Sequence, residues 1–179
     1  MRSQTTAFYD DPEVDTNKWM RPGLMSSDTV EWYTPPFVVA AVEQTLGHID
    51  LDPCADPARS IPASSHFTEA ENGLGQRWDG RVYMNPPYGR TIISWTTKLR
   101  DELQRGWVTE AVALLPARVD TRWWHELAPE YVCFIRGRIQ FSGYEQSAPF
   151  PSAAAYFGAH PEAFESAFAG LGSLYRALR

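Results

Sequence analysis

Cysteine is scarce: Cys54 and Cys133 are the only two in 179 residues, and neither has a second Cys or a His at ligand spacing. That excludes a disulfide framework, argues against a zinc site and makes a reduced, cytosolic protein the default. Long apolar runs are also missing. No stretch approaches the ~20 apolar residues that cross a bilayer, and the polar start Met1-Arg2-Ser3-Gln4 lacks the apolar core of a signal peptide. Lysine is nearly absent, because fourteen of the sixteen basic residues are Arg and only Lys18 and Lys98 are not. The planar fork of Arg suits bidentate contacts with phosphates or base edges. The chain has no internal repeat and no separate segment that could serve as a target-reading domain.

What is present describes a compact enzyme-sized chain. A hydrophobic content of 44% argues against disorder, and the length fits a single domain. Charge is unevenly spread: residues 1–75 hold 12 acids and 4 bases, residues 76–179 hold 10 acids and 12 bases, and the whole carries −6. An anionic partner such as DNA therefore has to meet the second part, and non-specific affinity for it should be weak. Residues 1–27 show no sustained period and form a polar arm, leaving 28–179 as the domain.

The most informative stretch is Met84-Asn85-Pro86-Pro87-Tyr88-Gly89-Arg90, which follows the short apolar run Val82-Tyr83-Met84. Two successive prolines donate no backbone hydrogen bonds and fix φ, so a strand ends here in a rigid corner. At the carboxyl end of a strand in an open α/β sheet, such a corner suits a flat, amino-bearing ring. The Asn85 amide oxygen and the Pro86 carbonyl offer two acceptors for the two hydrogens of an exocyclic amine. Pro87 stiffens the corner, and Tyr88 can lie against a ring face as a stacking plate.

Around the corner the chain alternates helix and strand signals. Thr34 as cap, Pro35 at the first position, and Val38, Val42 and Leu46 on one face predict a helix that Gly47 stops. Residues 48–52 alternate as a short strand ending at Asp52-Pro53. Residues 57–80 hold few periodic apolar positions, so strands expected there are short or absent. Ile92, Trp95, Leu99 and Leu103 space a second helix, residues 110–115 a buried strand, and Trp123-Trp124-His125 a third helix. Residues 131–136 and 138–142 look like strands paired around Gly137, with a further strand over 153–157. Phe164 and Phe168 mark a last helix face, and residues 171–178 suit either more helix or an edge strand. The fold class is α/β, with a mixed sheet whose C-terminal strands are partly antiparallel.

Asn85-Pro86-Pro87-Tyr88 resembles the catalytic motif of S-adenosylmethionine-dependent amino-methyltransferases. With Glu31-Trp32-Tyr33-Thr34-Pro35-Pro36, Leu51-Asp52-Pro53-Cys54-Ala55, Leu115-Pro116-Ala117-Arg118 and Arg136-Gly137-Arg138 in the same order, the chain resembles the phage-type DNA N6-adenine methyltransferases across most of residues 28–158. The resemblance implies a Rossmann-like class I methyltransferase fold, a host-cytoplasmic enzyme of phage or prophage origin, and no metal. It implies cofactor contacts at Tyr33, Thr34, Pro35, Asp52, Pro53, Cys54, Ala55 and Asn72, with Glu69 or Glu71 as the acid for the cofactor ribose. The expected partner is double-stranded DNA, with Arg90, Arg118, Arg136 and Arg138 near strand ends as phosphate contacts. The chain departs from the broader superfamily in lacking glycines after Asp52-Pro53. Alternatives are methylation of protein glutamine, RNA or cytosine N4, or a cofactor- or DNA-binding module without transfer.

Overall fold

A computed structural model describes residues 33–178; the arm over 1–27 and Glu31-Trp32 lie outside the described residues. In chain order the elements are α1 (Pro36–Leu46), β1 (Ile49–Asp52), β2 (Ala63–His66), β3 (Gly80–Met84), α2 (Ile92–Gln104), β4 (Val108–Pro116), α3 (Arg122–Leu127), β5 (Tyr131–Ile135), β6 (Ser152–Phe157), α4 (Pro161–Phe168) and β7 (Gly172–Arg176). Two single-turn 3₁₀ helices, Glu69–Glu71 and Gly73–Gly75, sit between β2 and β3.

The strands form one sheet in the order β2-β1-β3-β4-β6-β5-β7. The pairs β1–β2, β1–β3 and β3–β4 are parallel, whereas β6 runs antiparallel to both β4 and β5, and β7 antiparallel to β5. This is the Rossmann-like methyltransferase architecture with a mixed sheet. From β1 the chain moves outward to β2 and then crosses back to β3, so strand order reverses between β1 and β3. In open α/β sheets the crevice at such a reversal is where ligands bind.

Helix periodicity explains the layers. Val38, Val42 and Leu46 recur one turn apart on α1 and are each no more than 3% exposed; burial of each contributes roughly 1.5–3 kcal/mol. Gly47, at φ 68°, ends the helix in a conformation that glycine adopts without cost. On α2, Ile92, Trp95 and Leu99 are buried, and Trp95 stacks on Trp78 at 6.0 Å. Helices α1 and α4 pack together, α2 and α3 pack together, and β4 touches both α1 and α2. Phe164 and Phe168 of α4 are fully buried, with Phe164 stacked on Tyr156 at 5.3 Å.

Two local expectations change. Pro35, not Thr34, occupies the N-cap of α1, and Thr34 makes no side-chain cap, because the Pro-Pro start moves the first helical position to Pro36. Residues 138–142 form no strand: β6 and β7 already fill both edges of β5, and the chain turns off at Gly137. Only an isolated bridge, Ser142 with Tyr33, remains there. Residues 57–80 hold one short strand, the four-residue β2, in line with the expectation, and of the two readings of 171–178 the structure has the edge strand, β7 over 172–176.

Candidate active site

The carboxyl ends of β1 and β3 meet in a cavity of about 250 Å³. Asp52, the last residue of β1, and Asn85, the first after β3, both line it, as do Tyr33, Thr34, Cys54, Ala55 and Asn72. Pro35, the N-cap residue of α1, and Pro53, in the turn after β1, are not among its lining residues. Six of the eight sequence-based residues of the cofactor half thus line one crevice.

Asp52 is 3% exposed, and its Oδ1 accepts a hydrogen bond from the Cys54 backbone N–H at 3.2 Å. Burial pushes its carboxyl up to about 7, the Cys54 N–H working against this and Asp56 adding to it. Cys54 is held well above the ordinary thiol range, first by burial of its sulfur and then by the adjacent Asp52. The backbone N–H of Asn85 hydrogen-bonds to Cys54, which ties the two strand ends together.

Gly73 closes the far wall. A Cβ at this residue would lie 1.9 Å from the Pro53 carbonyl oxygen, so only glycine lets the 3₁₀ turn press against the end of β1. The buried Trp78 indole N–H donates to the Gly73 carbonyl at 2.8 Å and pins the turn from beneath. Asn72, at φ 51°, is the left-handed residue that joins the two turns. Of the two candidate acids, Glu71 is committed elsewhere: Oε2 accepts from the Thr68 N–H and hydroxyl at 2.8 and 2.9 Å, and Oε1 from Arg59 at 3.0 Å. Glu69 is exposed and lines the cavity.

The corner itself is cross-braced. Asn85 Nδ2 donates to Thr34 Oγ1 at 3.0 Å, and Thr34 Oγ1 hydrogen-bonds the Tyr83 hydroxyl at 2.7 Å. At its other end, Asn85 Oδ1 accepts from the Tyr88 hydroxyl at 2.8 Å, which also reaches the Leu114 carbonyl at 3.1 Å. The Tyr88 ring is 6% exposed and packs edge-on to Phe141 at 6.2 Å and Phe150 at 5.3 Å. In this conformation Tyr88 contributes its hydroxyl to the corner, and its ring, expected as a stacking plate, is covered by Phe141 and Phe150. A second cavity of about 220 Å³ lies beyond Tyr88, lined by Arg90, Arg118, Trp123 and Phe150 among others.

Sequence reasoning missed Tyr83, Glu69's separation from Glu71, and the apolar cavity wall of Ile61 and Phe67. The period-2 rule carried a signal for Tyr83, since it stands two residues before Asn85 and so shares its face. No group of three or more His, Cys, Asp or Glu among the described residues is arranged to hold a metal ion, and no described helix is long and apolar enough to cross a membrane.

Comparison with known proteins identifies the family. The chain is 32% identical over 109 residues to a DNA N-6-adenine-methyltransferase of Escherichia phage T1; the match covers 58% of this chain and 44% of that protein, so it spans less than half of the relative. The family model described as DNA N-6-adenine-methyltransferase (Dam) matches residues 23–155, which include α1, both strand ends of the crevice, the braced corner and β4. A match over most of the chain that takes in the whole crevice places this protein in the DNA N-6-adenine-methyltransferase (Dam) family.

Proposed function

We propose that this chain transfers a methyl group from S-adenosylmethionine to N6 of adenine in double-stranded DNA. The observation that carries the proposal is that Asn85 stands on the wall of the same crevice whose floor is Asp52, with its amide held at both ends. The residues of the crevice fit the cofactor chemically. Ile61 and Phe67 offer an apolar wall for the adenine ring, exposed Glu69 an acceptor for ribose hydroxyls, and buried Asp52 a counter-charge for the cationic end. When bound, S-adenosylmethionine supplies an electrophilic methyl on a positively charged sulfur.

The protein's part is alignment. The target amine is engaged in base pairing and enclosed by the stack, so it reaches the corner only when its nucleotide is rotated out of the duplex. Asn85 Oδ1 and the Pro86 carbonyl then accept its two hydrogens and aim the nitrogen lone pair at the methyl carbon. The bound cofactor would supply the methyl carbon for the new N–C bond, its C–S bonding pair would return to sulfur, and N6 would give up one proton to solvent. Tyr88 O–H, bonded to Asn85 Oδ1, has the Leu114 carbonyl as an alternative acceptor when the amine arrives. No strong base is needed.

Arginine pairing supports DNA as the substrate. Arg59, Arg77, Arg81, Arg100, Arg105, Arg122 and Arg176 each pair with a carboxylate. Arg90, Arg136 and Arg138 are exposed and have no carboxylate partner among the described residues. Since β5 runs parallel to β4, these three and Arg118 all follow strand ends or the corner on the crevice edge of the sheet. Arg90, Arg136 and Arg138, without a carboxylate partner among the described residues and following strand ends or the corner at that edge, suit a phosphate backbone. Incubating the protein with methyl-labelled cofactor and separate DNA, RNA and protein fractions tests the proposal. Label in N6-methyladenine of DNA is expected, and label only in protein or RNA would overturn it.

A further inference from the structure

We infer that Tyr83 and Thr34 are positioning residues for methyl transfer, acting on the substrate only through the amide of Asn85. The inference rests on the function proposed above. Tyr83 is 1% exposed, in a strand whose other buried members, Val82 and Met84, are purely apolar. A hydroxyl in such a place is costly unless it is hydrogen-bonded. Its bond is to Thr34 Oγ1 at 2.7 Å, the only partner it has among the described residues. A buried phenol with one partner satisfies its O–H by donating, so Thr34 Oγ1 receives it.

Thr34, in turn, is released from the task its position suggests. It precedes α1 yet makes no cap, and Pro35 holds the cap position with no side-chain bond to offer. Instead, Thr34 Oγ1 receives Asn85 Nδ2 at 3.0 Å. Thr34 Oγ1 thus receives two donors, the Tyr83 phenol and the Asn85 NH₂, and meets the amide at its nitrogen end. This matters because the two ends of an amide have nearly the same shape. A half-turn about the last side-chain bond would present NH₂ to the substrate amine, and donor would face donor. Thr34, steadied by the Tyr83 phenol, holds the nitrogen end while the Tyr88 O–H holds Oδ1 at 2.8 Å, and the two braces together keep the rotamer in which Oδ1 is the accepting end.

Single-turnover methyl transfer to DNA, calorimetric cofactor affinity and the Asn85 side-chain NH₂ resonances test this on the full chain. Tyr83→Phe should slow transfer by about 10-fold or more, the scale of misplacing a group that aligns a reactant, with cofactor affinity within about 2-fold. Thr34→Ser should retain most of the rate, and Thr34→Val should lose it. In an Asn85→Ala background, Tyr83→Phe should cost nothing further, because residues acting through one group are not additive. An equal loss in both backgrounds, or lost cofactor affinity at an unchanged rate, overturns the inference. A wild-type protein that methylates no DNA instead overturns the function proposed above. The NH₂ resonances then still decide the inference: Tyr83→Phe shifts them if the brace is real and leaves them in place if it is not.

Discussion

Asp52→Asn isolates the most strongly perturbed carboxyl of the crevice. Asp52 is 3% exposed, and burial raises its carboxyl from an ordinary 3.8 to about 7. A shift of about 3 units, at 1.36 kcal/mol per unit, amounts to about 4 kcal/mol as an upper limit. The sign follows from proton counting. Below about pH 4 both folded and unfolded chains hold the proton, and the contribution to stability is fully present. As pH rises toward 7 the unfolded chain loses its proton first, so the folded state binds more protons and stability falls. Above about 7 both are ionised and the loss levels off. Asparagine keeps the acceptor for the Cys54 N–H without the titration. The difference in Tm between Asp52→Asn and wild type should therefore grow from pH 4 to 7 and then plateau, reaching roughly 10 °C for a chain of this size. Groups common to both proteins cancel in that difference. Melting followed by near-UV circular dichroism across pH 4–8.5 measures it, and a difference that stays flat over that range refutes the reasoning. The same substitution should weaken binding of the cationic cofactor, whereas wild type should release a proton on binding below pH 7, seen as a buffer-dependent heat.

Asn85→Ala removes an acceptor for the amine without touching the proposed cofactor contacts, so turnover should fall at least ~100-fold with cofactor affinity nearly intact; unchanged turnover would reduce the motif to a turn. Gly73→Ala places a methyl group 1.9 Å from the Pro53 carbonyl oxygen, and relieving that overlap must move the 3₁₀ turn away from β1. The expected cost is about 1–3 kcal/mol in denaturant unfolding, together with weaker cofactor binding. Arg136→Ala should weaken DNA binding across sequences and lower the salt slope by about one unit, while Arg176→Ala, whose guanidinium is already paired with Glu130, should leave the slope alone. Equal behaviour of the two would place the DNA elsewhere.

What the sequence determined by itself was the backbone and the order of its parts. Pro86-Pro87 must end β3, because the constraint lies within the prolines' own rings. The spacing of Val38, Val42 and Leu46, and of Ile92, Trp95 and Leu99, selects helices with one buried face whatever they pack against. Motifs in a shared order were enough to place the chain in its family. The tertiary structure decided which polar groups meet. Thr34 looks locally like a helix cap, but its hydroxyl lies beside Tyr83 and Asn85, which are 49 and 51 residues away. Glu69 and Glu71 are alike in sequence, and only the positions of Arg59 and Thr68 commit Glu71 and leave Glu69 to the cavity. Tyr88 reads as an open stacking plate until Phe141 and Phe150 cover its ring from a distant loop. Arg136 and Arg176 carry the same guanidinium, and among the described residues the fold supplies a carboxylate only to Arg176. Backbone geometry is local and survives in short windows of sequence, whereas hydrogen-bond and ion-pair partners depend on contacts that form only when distant strand ends come together.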